Sequence, residues 1–197
     1  MGDAVLMLVA VFAPLAGAFL LPLLSVLSRR LRDVAALTLV VASLVSALWL
    51  VPGALRGEVV SFALHAPLGL SLSFTADALA VFMAIVSSLI GAIILLFSFD
   101  YISHYENQDE YYVMAVVFLG AMMGLIFSTN LIYLYVFWEI TGIASWRLIG
   151  FYRAKSDVLK ADKAFLITAG GALVMLVGVL AVYGITGTFD LGAMKGT

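Results

Sequence analysis

The distribution of apolar residues along the chain is the feature that most constrains its fold. Apolar stretches alternate with short polar segments over almost the whole length. A helix that spans a bilayer needs about 20 predominantly apolar residues. Six stretches approach or exceed that length, at residues 4–27, 34–51, 77–97, 111–127, 131–149 and 164–185. The sequence therefore predicts an all-α integral membrane protein of about six transmembrane helices.

The amino-acid composition supports this class. Of the 197 residues, 64% are hydrophobic and 11% are charged, whereas soluble domains are roughly 45–50% apolar and about 25% charged. No Lys or Arg precedes the first apolar stretch, although a signal peptide requires a basic segment there. We therefore expect this stretch to be retained as a helix, kinked at Pro14 and Pro22.

The placement of basic residues predicts the orientation. With the N-terminus outside, eight of the ten Lys and Arg residues lie on the cytoplasmic side, and only Arg56 and Lys195 lie outside. The acidic segment 100–110 would also be cytoplasmic, but acidic residues contribute little to this rule. The expected location is the inner (plasma) membrane of the cell, as a multi-pass protein surrounded by the lipid bilayer. The cytoplasmic basic residues are Arg29, Arg30, Arg32, Arg147, Arg153, Lys155, Lys160 and Lys163.

Several classes of function are disfavoured by what the sequence lacks. The formal net charge is −2 and no basic cluster is interleaved with aromatic residues, so nucleic-acid binding is not expected. The chain has no cysteine and two histidines, which argues against iron–sulfur, thiolate-metal and multi-histidine sites. No nucleophile–base or nucleotide motif is present. We expect no cofactor in this chain and no intrinsic enzyme chemistry, so any redox catalysis would belong to partner subunits.

The connection between the second and third stretches divides the chain. Residues 52–75 are rich in Pro and Gly and include two short segments, 59–64 and 68–74, that are compatible with a hairpin. We expect an N-terminal two-helix segment with its outer loop at residues 1–73 and a core of four helices at residues 74–197. Gly120 and Gly124 form a small-xxx-small pattern, which is typical of close helix packing.

Glu139 is the most informative single residue. It lies about nine residues into the stretch 131–149, roughly 12–13 Å along a helix, which places its carboxyl near the bilayer midplane beside Trp138. An unpaired charge there costs about 2.5–3.5 kcal/mol on insertion scales, so the group must be protonated, paired or hydrated. A carboxyl that changes between these states is a proton-relay element. The alternative is a neutral Glu that hydrogen-bonds another helix.

Four other residues carry weaker signals. Lys163 is either an interfacial anchor or a cation close enough to lower the pKa of Glu139. Arg147, two turns beyond Glu139, fits an interfacial position better than a pair with Glu139. Asp77 precedes a helix and is expected to cap it. Histidine is the side chain best suited to a change of charge near neutral pH, but His104 lies in a polar segment, where a solvated role is the ordinary one.

These residues lie within a pattern that resembles the antiporter-like membrane subunits shared by respiratory complex I, Mrp-type sodium/proton antiporters and membrane-bound hydrogenases. The specific part is residues 130–152, NLIYLYVFWEITGIASWRLIGFY, which resembles the fifth-helix signature of that family. Further similarity is found in FTADAL at 74–79, FSFDYI at 97–102, KAFLITAGG at 163–171 and GTFDL at 187–191. The resemblance covers roughly residues 70–191, and the first two helices match only in pattern.

The resemblance implies proton translocation, with Glu139 at the position of the family's essential glutamate and Lys163 as a second candidate. Two positions depart from complex I relatives, Arg147 and Ala172, and Gly170-Gly171 is closer to the Mrp and hydrogenase branches. Family members also continue well beyond a sixth helix and supply a lysine from a seventh. We therefore expect the N-terminal portion of such a subunit, either a split gene product or a fragment, packed against other membrane subunits.

Two functional hypotheses remain at this stage. The first is a proton-translocating subunit of a redox-driven pump or of a cation/proton antiporter, in which sodium is a possible second ion. The second is a non-conducting structural subunit that keeps the fold and the motif. A stand-alone transporter is disfavoured because no inverted repeat is visible in this length. The presence or absence of a Lys from a neighbouring chain opposite Glu139 would separate the first two.

Overall fold

A computed structural model describes residues 2–64 and 70–194, and these residues form helices joined to one small hairpin. The long helices run in alternating directions, so that each connection lies at one of two ends of the bundle. The elements are α1 (Gly2–Ala18), α2 (Leu21–Leu27), α3 (Arg29–Leu55), β1 (Val60–Leu64), β2 (Leu72–Ala76), α4 (Ala78–Tyr101), a 3₁₀ turn (Ile102–His104), α5 (Gln108–Phe127), α6 (Leu131–Ile149), α7 (Lys155–Thr186) and α8 (Leu191–Met194).

The helices confirm a membrane protein. In the described part of the chain they give four to five candidate membrane spans, whereas the sequence predicts about six. Among the described residues, α3, α4 with its 3₁₀ turn, α5 and α7 are each long and apolar enough to cross a bilayer. The bent pair α1–α2 makes a fifth candidate. Helix α6 has 19 residues but includes Glu139 and Arg147, which lower its apolar character. Whether α6 is a sixth span therefore depends on how its two charged side chains are solvated.

The first apolar stretch is not one kinked helix. It divides at residues 19–20 into α1 and α2, whose axes differ by 53°. Pro14 lies inside α1, while Pro22 occupies the first turn of α2. A proline is well tolerated in a first turn, since its missing N–H has no intrahelical partner there. The break therefore precedes Pro22, whereas the sequence analysis placed a kink at each proline.

Helix α7 corrects a second boundary. The apolar stretch 164–185 predicts a last helix that Lys163 opens, but the helix begins at Lys155. Its first turns are polar, including Asp157 and Lys160, so apolar periodicity does not reveal them. Lys163 consequently lies in the third turn of the helix, and most of the basic segment 153–163 is helical.

The predicted hairpin is present with shifted bounds. Strands β1 and β2 pair antiparallel, with Phe62 opposite Phe74. The predicted second segment began at residue 68, but residues 68–69 lie outside the described part of the chain. The next helix begins directly after β2, where the Asp77 carboxylate accepts a hydrogen bond of 2.8 Å from the Ala80 amide. The predicted cap is therefore formed in the structure.

The core is built from small residues that let helix backbones approach closely. Ala10, Ala36 and Ala121 are fully buried, and the buried Ser43 hydroxyl on α3 donates a 2.9 Å hydrogen bond to the Ala10 carbonyl on α1. Because lipid is as apolar as the core, such packing and interhelical hydrogen bonds drive helix association in a membrane. The four N-terminal apolar helices α1, α3, α4 and α5 form this core, and α6 and α7 follow on the side of α5.

Gly124 provides a test of this packing. A Cβ added there would lie 2.5 Å from the Phe137 ring on α6, whereas one added at Gly142 would meet nothing within 4 Å. We expect Gly124→Ala to lower the free energy of unfolding by about 1–3 kcal/mol, because the ring has to move. Thermal unfolding in detergent, with Gly142→Ala as the control, measures this. An unchanged midpoint for Gly124→Ala would contradict the packing seen here.

Candidate functional site

Ion pairs gather at one end of the bundle, called here the basic end: the α2–α3 junction, the α4–α5 connection and the α6–α7 connection. Arg32 of α3 is 2% exposed and donates hydrogen bonds to Asp109 at 2.5 Å and to Gln108 at 2.9 Å. Its guanidinium also bonds Asp33 and lies 4.5 Å from the centre of the Tyr112 ring. This cluster joins the first turn of α3 to the first turn of α5.

Glu110 forms the second ionic cluster of the basic end. Its carboxylate accepts from Arg147 in the last turn of α6 and from Arg153 in the α6–α7 connection. The structure therefore places Arg147 at the end of the bundle, bound to Glu110 and not to Glu139. Two of the four acidic residues in the segment 100–110, Asp109 and Glu110, are thus paired with arginines from three other parts of the chain. Sequence reasoning missed these pairs because their partners are distant in sequence.

The 3₁₀ turn after α4 also lies at the basic end. His104 ends this turn and is exposed. The neighbouring Tyr101 and Tyr152 hydroxyls are 2.5 Å apart. This hydrogen bond, assisted by burial, raises the pKa of Tyr152 to about 12. Tyr152 is therefore neutral at physiological pH and adds no charge to this end.

The opposite end, called here the hairpin end, is held mainly by backbone hydrogen bonds. Thr129, between α5 and α6, donates from its amide to the Ser73 carbonyl at 3.0 Å. The Ser73 hydroxyl donates to Asp190, which follows α7, at 2.8 Å. Asn130 caps α6 by accepting from the Ile132 amide at 3.0 Å. These contacts fix the start of α6 and therefore the depth of every residue along it.

Glu139 lies at the ninth position of the 19-residue helix α6, as the sequence predicts. Its Oε1 atom is buried and has no hydrogen-bond partner among the described residues. The Tyr135 side chain, one turn earlier, interacts with the Glu139 carboxyl. Within the described residues, no ion pair includes Glu139. The arrangement is that of a carboxyl held at mid-helix with unused hydrogen-bonding capacity.

The other predicted site residues are not gathered around Glu139. Trp138 is 43% exposed beside it, and Asp77 is engaged as a cap at the hairpin end. Lys163 is exposed on α7 and enters no ion pair in the described part of the chain. Its neighbour Asp162 contacts Trp146, which is seven residues, or roughly 10 Å, beyond Glu139 along α6. A role for Lys163 in setting the charge of Glu139 therefore stays a prediction.

A narrow cleft lies between α6 and α7 on the side of Gly142. It has a volume of about 180 Å³ and includes three hydroxyl side chains, Thr141, Ser145 and Thr168. At one limit the Trp146 indole donates a 2.9 Å hydrogen bond to Asp162. The sequence pattern does not single out Asp162, which precedes the apolar stretch 164–185, and only the helical start of α7 brings it to α6.

Comparisons with known proteins agree with this architecture. The family model "NADH-Ubiquinone oxidoreductase (complex I), chain 5 N-terminus" matches residues 63–112, and "NADH:quinone oxidoreductase/Mrp antiporter, TM" matches residues 128–197. The second match includes α6 and α7 and therefore Glu139, the cleft and Asp162.

Individual relatives belong to the same two groups. An Na(+)/H(+) antiporter subunit of Alkalihalophilus pseudofirmus is 41% identical over 127 residues, covering 63% of this chain and 16% of that protein. The chloroplastic NAD(P)H-quinone oxidoreductase subunit 5 of Adiantum capillus-veneris is 33% identical over 124 residues, covering 62% of this chain and 17% of that protein. The chain thus spans less than a fifth of the length of these relatives.

The fold is also found in a solved complex. A chain of the Mrp complex from Dietzia sp. DQ12-45-1b superposes with a TM-score of 0.79 at 25% identity, covering 95% of this chain and 20% of that one. Sequence and structure therefore agree over the helices that hold Glu139, and the chain belongs to the antiporter-like membrane subunits of complex I and the Mrp antiporters.

Proposed function

We propose that this chain is a proton-translocating membrane subunit of a multisubunit complex, either a redox-driven pump or a cation/proton antiporter. The observation that carries the proposal is Glu139, a carboxyl at the middle of α6 with a buried oxygen that no described residue bonds. Ionisable groups at membrane depth are expensive to keep, which makes a functional role the default interpretation. Protons are the transported ion, and sodium is the second ion if the complex is of the antiporter type.

The subunit is proposed to work with other membrane subunits. Helix α7 has 32 residues, and few of those in its apolar part are buried, including Ala172 and Val179. A Cβ at Gly170, Gly171 or Gly178 would meet nothing within 4 Å, so this helix offers a flat surface to a neighbour. We propose that such a neighbour supplies the groups that complete the environment of Glu139, together with Lys163 from this chain.

A transport measurement tests the proposal. The complex is purified through a tag on this chain, reconstituted in sealed vesicles that contain a pH-sensitive dye, and placed under an imposed ion gradient. We expect other membrane subunits to copurify and the internal pH to change faster than in empty vesicles. A complex that assembles but moves no protons, with or without sodium, would overturn the proposal in favour of the non-conducting structural subunit.

The proposed topology has six spans, with α1–α2 counted as one bent span and α6 as another, and with the N-terminus outside the plasma membrane. The basic end is then cytoplasmic, because eight of the ten arginines and lysines lie on that side in the six-span arrangement. The single arginine of the hairpin end, Arg56, is exposed and paired with Glu58 at 2.8 Å. The two ends therefore differ strongly in unpaired positive charge.

Cysteine labelling checks this orientation. The natural chain has no cysteine, so a single introduced thiol gives no background. We expect Lys155→Cys, at the start of α7, to react with an impermeant maleimide only after the cells are opened. Arg56→Cys, at the hairpin end, serves as the matched control and is expected to react in intact cells. The reverse pattern would show that the orientation is wrong.

A further inference from the structure

Asp162 is a carboxylate that the proposed function has not used. It lies seven residues, roughly 10 Å, from the start of α7, below the level of the charged clusters of the basic end. The Trp146 indole of α6 donates to its Oδ1 atom at 2.9 Å. The Arg147 guanidinium, from the next residue of α6, lies 5.4 Å from the centre of the same indole ring. Asp162 is therefore held against α6 by a neutral donor.

The cleft between α6 and α7 is lined by Trp146, which bonds Asp162, and by Trp138 and Gly142, which lie one residue before and three residues after Glu139 along α6. At the Glu139 level it is bounded by Trp138 and Gly142, and at the other limit by Trp146. Gly142 contributes to this opening because it has no side chain, and a Cβ at that position would meet no atom within 4 Å. The cleft thus runs along the part of α6 that lies between Glu139 and Trp146, the residue that bonds Asp162.

Hydrogen-bonding groups inside the cleft suit water. The Thr141 and Thr168 hydroxyls donate to backbone carbonyls of their own helices at 2.7 and 2.9 Å, which leaves their oxygens free to accept. Ser145 supplies a third hydroxyl. A water molecule occupies about 30 Å³ of liquid, so a cleft of about 180 Å³ admits several. The seven residues from Glu139 to Trp146 span roughly 10 Å along α6, a length that two or three waters bridge with hydrogen bonds of roughly 2.8 Å.

From this geometry we propose that Asp162 is the proton-loading carboxyl for Glu139 from the basic end of the bundle. Protonated Asp162 releases its proton to the first water of the chain, and the last water gives a proton to the Glu139 carboxylate. The Asp162 carboxylate then takes a proton from the aqueous phase at the basic end. No oxidant or reductant takes part, and the net result is one proton moved along α6. This inference rests on the proposed function of the subunit.

Most charged groups near Asp162 are paired with other residues, so its carboxyl is available for this step. On α7, Asp157 bonds Lys160 at 3.4 Å, and Lys163 is exposed next to Asp162 in sequence. On α6, the Arg147 guanidinium is bound by Glu110. In the described residues, Asp162 has no ion pair of its own, and the hydrogen bond that it accepts comes from the neutral Trp146 indole.

The alternative role for Asp162 is structural, as a clasp between α6 and α7. Two substitutions separate the roles. Asp162→Asn keeps an oxygen that accepts from Trp146 but cannot carry a proton. Trp146→Phe removes the hydrogen bond but leaves the carboxyl. Asp157→Asn removes another carboxylate of α7, outside the cleft, and serves as the matched control.

The experiment measures proton transport by the complete complex in sealed vesicles for the three variants, with Glu139→Gln in parallel. We expect Asp162→Asn to slow transport at least about tenfold, Trp146→Phe to slow it by less, and Asp157→Asn to stay within about twofold of the natural complex. A small permeant weak acid such as hydrazoic acid, supplied as azide, is expected to restore part of the rate of Asp162→Asn, because it replaces a missing proton donor. A structural role predicts no such rescue.

Each other outcome overturns the inference. A normal rate for Asp162→Asn beside a blocked Glu139→Gln would remove Asp162 and leave the proposed function standing. Normal rates for both variants would remove the proposed function as well. Two results would assign Asp162 to the clasp between the helices. The first is slow transport by both Trp146→Phe and Asp162→Asn, with no rescue of Asp162→Asn by weak acid. The second is failure of Asp162→Asn to assemble.

Discussion

Replacement of Glu139 by Gln is expected to reduce proton transport by roughly a hundredfold or more, the range found when a proton-transferring side chain is lost. Gln has the size of Glu and keeps a carbonyl oxygen near Tyr135, but it cannot release and rebind a proton. Assembly is expected to be normal, because no described residue forms an ion pair with Glu139. Removing its charge therefore leaves no cation without a partner.

The measurement is proton uptake by the reconstituted complex, with subunit composition checked on a native gel. Glu106→Gln provides the matched control, since Glu106 is an exposed carboxyl of the α4–α5 connection at the basic end. We expect this control to transport at the natural rate. Loss of assembly in Glu139→Gln with the control intact would favour the packing role of Glu139 over the relay.

Replacement of Arg32 by Ala is expected to have the largest effect on stability. The Arg32 side chain is 2% exposed and neutralises both Asp33, 18% exposed, and Asp109, 50% exposed. Removing one partner of a buried ionic cluster leaves the opposite charges uncompensated, at a cost of about 3 kcal/mol. The join between the first turns of α3 and α5 is lost at the same time.

Thermal unfolding in detergent, followed by tryptophan fluorescence, measures this effect. Arg30→Ala is the matched control, because Arg30 lies two residues away and is exposed. We expect the control to unfold within about 1 °C of the natural protein, since exposed charges contribute little. Adding Asp109→Asn to Arg32→Ala is expected to recover part of the loss. A natural melting temperature for Arg32→Ala would contradict a stabilising role for this cluster.

Local signals account for the parts of the fold that the sequence predicted well. Helix α6 has the predicted bounds because Asn130 caps its first turn and Gly150 follows its last. Asp77 likewise marks the start of α4 through a hydrogen bond to the Ala80 amide. The depth of Glu139 follows from these bounds alone. In each case the deciding interaction lies within four residues and can be read from the sequence.

The parts that were missed depend on contacts between distant residues. The 53° bend between α1 and α2 leaves both segments equally apolar, so periodicity does not show it. The start of α7 at Lys155 was missed since its first two turns are polar. For the same reason the sequence did not predict the contact of Asp162 with α6, since a residue expected in a loop cannot be assigned to one face of a helix. The pairing of Glu110 with Arg147 joins two helices and is invisible in local patterns.

The protonation state of Glu139 during turnover tests the central claim most directly. Infrared difference spectroscopy of the reconstituted complex detects the carbonyl stretch of a protonated carboxyl as it appears and disappears. We expect a carboxyl band that changes during transport in the natural complex and is absent in Glu139→Gln, while Glu106→Gln retains it. Identical difference spectra for the natural complex and Glu139→Gln would show that Glu139 does not exchange a proton, and would contradict the account.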